Sequence, residues 1–174
     1  MKKKEIILSL APSFFGDNVN TDLIHAPSNF TINRDRLHSD YVGPKNKDTD
    51  KNPERIIIAG ENFGLGSSRF STVIALKNSG VRIVAADSIS RIFERNLACC
   101  AIFAFRFAPG IKAAEYFNNE SQSVIEVKIE PRAQKAVALI KQAGGKKTAE
   151  AFMDIYLYRI AAAGGMVNYI ACKK

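Results

Sequence analysis

Arg55-Ile56-Ile57-Ile58-Ala59-Gly60-Glu61-Asn62-Phe63-Gly64-Leu65-Gly66-Ser67-Ser68-Arg69 is the stretch from which the fold can be read. Its first five residues have the length and apolar character of a buried strand. Thr72 to Lys77 then repeat apolar groups at helical spacing, and Gly80 ends that helix. Val81-Arg82-Ile83-Val84-Ala85-Ala86 supplies a second buried strand. Strand, helix and strand in this order require a crossover, which predicts an α/β fold with parallel strands. The glycines lie in the strand-to-helix turn. Gly64 and Gly66 permit positive φ and close approach of a ligand, and the helix start presents unpaired N–H groups and a positive dipole. An anion site is expected there. Ser67 and Ser68 add hydroxyls, and Arg69 adds a planar fork suited to a carboxylate or phosphate.

Outward from this unit, Glu5 to Leu10 reads as the first strand, its apolar run stopping at Pro12, and Phe15-Gly16-Asp17-Asn18 reads as a turn. Arg34 to Tyr41 is expected as a short helix, and Gly43 to Glu54 as a polar loop. Ser88 is placed to cap a helix with Ile89, Ile92, Phe93 and Leu97 on one face. Ala101 to Phe105 is another strand, and the strict alternation of Ser123 to Glu130 predicts a half-buried one. Ala136 to Ile140 fits strand or helix. Phe152 to Ala163 is expected to be a helix closed by Gly164-Gly165, with Met166 to Ile170 as a packed terminal segment.

The 174 residues, 47% hydrophobic and 9% aromatic, suit a soluble globular chain forming one domain over 1–174. No apolar run reaches the roughly 20 residues that span a bilayer. Met1-Lys2-Lys3-Lys4 resembles the start of a signal peptide, but Glu5 interrupts it and the apolar segment that follows is short. Three cysteines, Cys99, Cys100 and Cys172, cannot form an even disulfide framework, and adjacent cysteines do not chelate one metal in the usual spacing. A reducing, cytoplasmic setting is expected, with no metal site on this chain. The net charge of +8 permits anionic substrates or nucleic acid, but the basic residues are scattered and no nucleic-acid-binding motif accompanies them.

Arg69 occupies the third glycine position of a Gly-x-Gly-x-x-Gly fingerprint, which disfavours a dinucleotide, and the Gly-Lys-Ser/Thr ending of a P-loop is absent. Taken singly, Asn20-Thr21-Asp22 is equally a capped turn, and Arg34 a solvated helix residue. The order of three motifs says more. Gly16-Asp17-Asn18-Val19-Asn20-Thr21-Asp22, then Gly60 to Arg69, then Ser88-Ile89-Ser90-Arg91-Ile92-Phe93-Glu94-Arg95-Asn96 resembles the aconitase superfamily, in particular its separate small subunits of the 3-isopropylmalate dehydratase type.

That resemblance implies a swivelling domain of β/β/α arrangement that closes over a large subunit carrying a [4Fe–4S] cluster, with no cluster ligand supplied from this chain. It implies the reversible removal of water from a hydroxy di- or tricarboxylate, in which a cluster iron acts as Lewis acid. By motif position Ser67 is the base, Ser68 and Arg69 hold substrate carboxylate, and Asp22, with Thr21 beside it, and Arg34 complete the binding residues. The loop holding His25, Ser28, Asn29 and Phe30 selects the substrate's variable group. Leu65 stands where the family usually has cysteine, and Phe70-Ser71 where it usually has a Glu-His pair that braces the turn and subunit contacts. The common Pro-x-Arg-Tyr-Leu pattern of the selecting loop is also missing. A second reading of the same residues is a non-catalytic carboxylate-binding or regulatory module that retains the Gly-Ser-Ser-Arg nest.

Overall fold

Four strands pair in parallel and three more pair antiparallel with their neighbours, closing a barrel in the order β1-β2-β3-β4-β7-β6-β5. They are β1 (Ile6–Phe15), β2 (Arg55–Ala59), β3 (Val81–Ala86), β4 (Phe103–Phe107), β5 (Ile125–Pro131), β6 (Lys135–Gln142) and β7 (Thr148–Asp154). The computed structural model describes residues 5–29, 33, 54–66, 69–117 and 124–172. The predicted helix at 34–41 and most of the polar loop that follows it lie outside them.

The predicted crossover is present: β2 and β3 pair in parallel and are joined by α2 (Phe70–Asn78). β2 lies between β1 and β3, so Ile56, Ile57 and Ile58 are all buried, each contributing about 1.5–3 kcal/mol of hydrophobic stabilisation. β5 alternates as expected, with Ile125, Val127 and Ile129 inward and Glu126 exposed. Ala136 to Ile140 resolves as strand, because β6 is flanked by β5 and β7 along its length. A short helix, α4 (Ala113–Tyr116), follows β4, and the helices α3 (Arg91–Cys99) and α5 (Ile155–Ala162) pack on each other and on β4. These elements form the mixed α/β domain that the sequence implies.

Several boundaries differ from the sequence reading. β1 passes through Pro12 and continues to Phe15. Its first half pairs with β5 as far as Leu10 and its second half pairs with β2 from Ala11, so Pro12 needs no N–H partner on the side that β5 has left. Ser88 does not cap α3; Ser90 occupies that position. Ser88 is drawn instead into extended pairing with the glycine turn, since Phe63 N–H donates to Ser88 O at 3.0 Å and Ser90 N–H to Phe63 O at 3.0 Å. Phe152 to Asp154 are strand, held by β6, and the helix begins only at Ile155. Asp154 Oδ1 accepts the N–H groups of Tyr156 and Leu157 at 2.8 and 3.2 Å, a side-chain cap that marks the true start. The terminal segment is a short helix, α6 (Met166–Ala171), with Val167 and Ile170 exposed.

Candidate functional site

The carboxyl ends of β1, β2 and β3 lie side by side, and the loops leaving them are laced together. Asn18 N–H donates to Glu61 O at 2.7 Å, and Glu61 N–H to Asp17 Oδ1 at 2.7 Å. Asn62 Nδ2 donates to Asn18 Oδ1 at 2.9 Å, while Asn62 N–H donates to Ser88 Oγ at 2.7 Å. Both asparagines stand at positive φ, +57° and +56°, a conformation that asparagine adopts more readily than most residues. This lattice fixes the start of the glycine turn.

The turn's second half is moulded on the Asn20 segment. Val19 O accepts the N–H groups of Gly64 and Leu65 at 2.9 and 3.1 Å, and Leu65 O accepts Thr21 N–H at 2.8 Å. Asn20 Oδ1 accepts Asp22 N–H at 3.0 Å and the Thr21 hydroxyl at 3.3 Å, starting α1 (Thr21–Ile24). Gly66, at φ +95°, has no room for a side chain: a Cβ there would lie 2.5 Å from Asn20 Oδ1. Gly64, at φ +79°, lies equally close over the Phe93 ring. The glycines are therefore required both by backbone angle and by close approach.

These contacts bring Arg69 and Asp22 together as an ion pair between Arg69 Nη2 and Asp22 Oδ1. Both side chains are partly exposed, at 35% and 48%, so a solute can reach the guanidinium. Arg69 occupies the N-cap position of α2, at the positive end of the helix dipole. Ser67, Ser68, Arg34 and Phe30 lie outside the described residues. Thr21 is wholly buried and its hydroxyl serves the Asn20 cap, so it builds the turn and does not face a solute. His25 is also buried and closes α1 through its N–H to Thr21 O at 3.0 Å, and among the described residues neither ring nitrogen has a hydrogen-bond partner. Ser28, with Asn29 next to it, lies in a 3₁₀ turn (Pro27–Asn29) and is exposed.

Beside the lattice lies a cavity of about 490 Å³, its apolar walls including Phe14, Phe15, Ile58 and Phe117. Lys112 sits at its rim, paired with Glu61 and 3.6 Å from Asp87 Oδ2, and the Glu61 hydrogen bond raises its ammonium above the ordinary lysine range. Asp87 Oδ1 accepts Ala113 N–H at 2.9 Å. Sequence reasoning gave no role to Asp17, which it quoted only within a motif, and did not single out Asp87 or Lys112. Their available signal was position: Asp17 and Asp87 each follow a strand end, where loops of parallel sheets gather.

Among the described residues no three of His, Cys, Asp and Glu gather in a way that could hold a metal ion. Cys99, Cys100 and Cys172 are free thiols. An iron–sulfur cluster finds no ligand set in this part of the chain.

Residues 21–110 match the family model of the Aconitase C-terminal domain, a span that covers Asp22, Arg69 and the α3 motif. The 3-isopropylmalate dehydratase small subunit of Thermodesulfovibrio yellowstonii is 34% identical over 89% of this chain and 88% of its own. The 2,3-dimethylmalate dehydratase small subunit of Eubacterium barkeri is 34% identical over 90% of this chain and 91% of its own. The methanogen homoaconitase small subunit of Methanothermobacter thermautotrophicus is likewise 34% identical, over 89% and 85%. A crystal structure of 3-isopropylmalate dehydratase from Methanocaldococcus jannaschii superposes with a TM-score of 0.72 at 28% identity, over 97% of this chain and 95% of that one. With the motifs on adjoining loops and these relatives aligned over most of their length, the chain belongs to the aconitase family, as a member resembling its separate small subunits.

Proposed function

We propose that this chain is the small subunit of a heteromeric hydro-lyase that removes water from, and adds it to, a malate-type hydroxy di- or tricarboxylate. The substrate is 3-isopropylmalate or that of a paralogue. The observation that carries the reading is the Arg69–Asp22 pair, set at a helix start by a turn whose glycines admit no side chain. Arg69 offers parallel N–H groups to a substrate carboxylate, and Ser68 adds a hydroxyl beside it. Ser67 takes the proton from the carbon next to that carboxylate; the helix dipole and the Arg69 charge favour its ionised form. Arg34 binds a further carboxylate, and the His25–Phe30 loop contacts the group that differs between substrates.

The large subunit carries a [4Fe–4S] cluster, whose iron supplies Lewis-acid activation of the leaving hydroxyl. This chain works as one swivelling unit over 1–174, in the cytoplasm, with leucine biosynthesis as the pathway if the substrate is 3-isopropylmalate. The pairing of Arg69 with Asp22 argues against tight carboxylate binding by the isolated chain, because a ligand must first compete with Asp22. Reconstitution with the large subunit encoded in the same genome tests the proposal. Hydratase activity should appear only in the mixture. Ser67→Ala should abolish turnover with a modest change in KM, because only the proton transfer is removed. Absence of activity in the mixture, or full activity in Ser67→Ala, refutes it.

A further inference from the structure

The cavity beside the lattice, at about 490 Å³, falls in the size range of small-molecule sites, and neither Asp22 nor Arg69 lines it. Its aromatic walls are anchored. Phe15 packs on the buried Phe63 with 5.6 Å between ring centroids, and Phe117 packs on the buried Phe107 with 5.8 Å. The charged groups that line it are mostly of one sign. Asp17, Glu61, Asp87 and Glu115 set four carboxylates against the single ammonium of Lys112, although the whole chain carries a net charge of +8. Among the described residues Asp17 and Glu115 have no ion-pair partner.

Asp87 is the group that this arrangement leaves short of a donor. Its side chain is 9% exposed, so the carboxylate has lost most of its water. Oδ1 accepts Ala113 N–H at 2.9 Å. Oδ2 stands 3.6 Å from Lys112 Nζ, beyond hydrogen-bond length, because Lys112 makes its close contact with Glu61. A nearly buried carboxylate oxygen on a cavity wall calls for a charged donor. An anion entering the cavity would meet four carboxylates, and an uncharged apolar molecule would bring Asp87 Oδ2 no hydrogen.

We infer that this cavity binds a small organic amine, with its ammonium set against Asp87 Oδ2 and its apolar body among Phe14, Phe15 and Phe117. The excess negative charge draws the cation in, and the aromatic faces favour both the cation and its hydrocarbon body. Lys112 is a built-in competitor. Its ammonium lies between Glu61 and Asp87, so it gives up part of that position when the ligand enters. Removing the positive charge at position 112 therefore tightens binding of an amine, whereas at an anion site the same change would loosen binding.

Isothermal titration calorimetry of the full chain at neutral pH, with 2-phenylethylamine as the probe, tests this. The amine should bind with a Kd of about 1 mM or tighter. Methylamine has the head without the body, and 3-phenylpropionate has the body with the opposite charge; each should bind roughly tenfold more weakly or worse. Asp87→Asn keeps an Oδ1 acceptor for Ala113 N–H but loses the charge, and should weaken the amine roughly tenfold. Lys112→Met keeps an apolar stem without the ammonium, and should tighten binding about two- to fivefold. Glu126→Gln, exposed on β5 and not lining the cavity, should leave binding unchanged. Circular dichroism melts establish that each variant is folded; should Asp87→Asn not fold, the sign of the Lys112→Met effect decides. The assignment is overturned if the parent chain takes up no amine at about 10 mM, or if 3-phenylpropionate binds as tightly as the amine. It is equally overturned if folded Asp87→Asn binds like the parent, if Lys112→Met fails to tighten binding, or if Glu126→Gln weakens it as much as Asp87→Asn does.

Discussion

Replacing Gly64 by alanine isolates the cost of building the glycine turn. Two terms add. Gly64 stands at φ +79°, where an L side chain costs about 1–2 kcal/mol. The new methyl would also overlap Phe93 Cδ1, and Phe93 is held by burial and by an edge contact with Phe63 at 5.9 Å between centroids. Forcing such a ring aside costs about 1–3 kcal/mol, giving a sum of about 2–5 kcal/mol. Gly110 provides the matched control, with φ +85° and open space for 4 Å around the place a Cβ would take, so Gly110→Ala should carry the first term alone. Urea unfolding of both variants, followed by far-ultraviolet circular dichroism with a check that the m-value is unchanged, measures the difference. Gly64→Ala should be the less stable by about 1–3 kcal/mol, the Phe93 contribution. Equal destabilisation, within about 0.5 kcal/mol, would refute the close-approach reasoning and leave only the backbone angle.

Ala101→Gly should stabilise the chain by about 1 kcal/mol in the same assay, because Ala101 holds φ +66° at the end of α3, where Ile102 N–H reaches Leu97 O at 3.0 Å and Ala101 N–H reaches Ala98 O at 3.1 Å, a Schellman closure that favours glycine. Arg69→Lys should raise KM of the reconstituted enzyme roughly 10- to 100-fold, as steady-state kinetics will report, since a fork that grips both carboxylate oxygens becomes a point charge. Glu94 is buried, and burial, against the opposing charge of Arg106, raises its carboxyl above the usual range. The folded chain therefore holds that proton to higher pH than the unfolded chain, and stability falls as pH rises from the unfolded value to the folded one. Glu94→Gln should be more stable than the parent at neutral pH, with the gain vanishing below about pH 4.5, where both states are protonated; thermal melts across that range decide it.

The parallel half of the barrel was legible because Ile56 to Ile58 and Ile83 to Ala86 are buried from both faces and read as unbroken apolar runs. Boundaries set by distant partners were not. Ser88 carries every local mark of a helix cap, and what overrides them is Phe63, 25 residues earlier, pairing with Ser88 and Ser90. Phe152 has helical neighbours and a strand's environment, decided by its ladder to Val137. For the site, the glycine turn and the Asp22 motif were visible as separate signals. Their meeting in the Arg69–Asp22 pair depends on Val19 and Leu65 backbone contacts that no spacing in the sequence encodes.

The same contacts explain what holds the turn ahead of Phe70-Ser71. A brace is needed, since Gly64 and Gly66 leave the backbone free and Arg69 must still be held at a fixed place. Here the bracing comes from elsewhere. Asp17 and Ser88 hold the amides of Glu61 and Asn62, and Asn20 holds the start of α1 against Gly66. Those residues lie in the loops that leave β1 and β3 of this chain. Position 71 is filled by a buried serine, and position 70 is released to solvent as phenylalanine. Phe70 makes none of these contacts, whereas a side chain at Gly64 would push Phe93 aside and one at Gly66 would displace Asn20, whose Oδ1 holds the Asp22 amide.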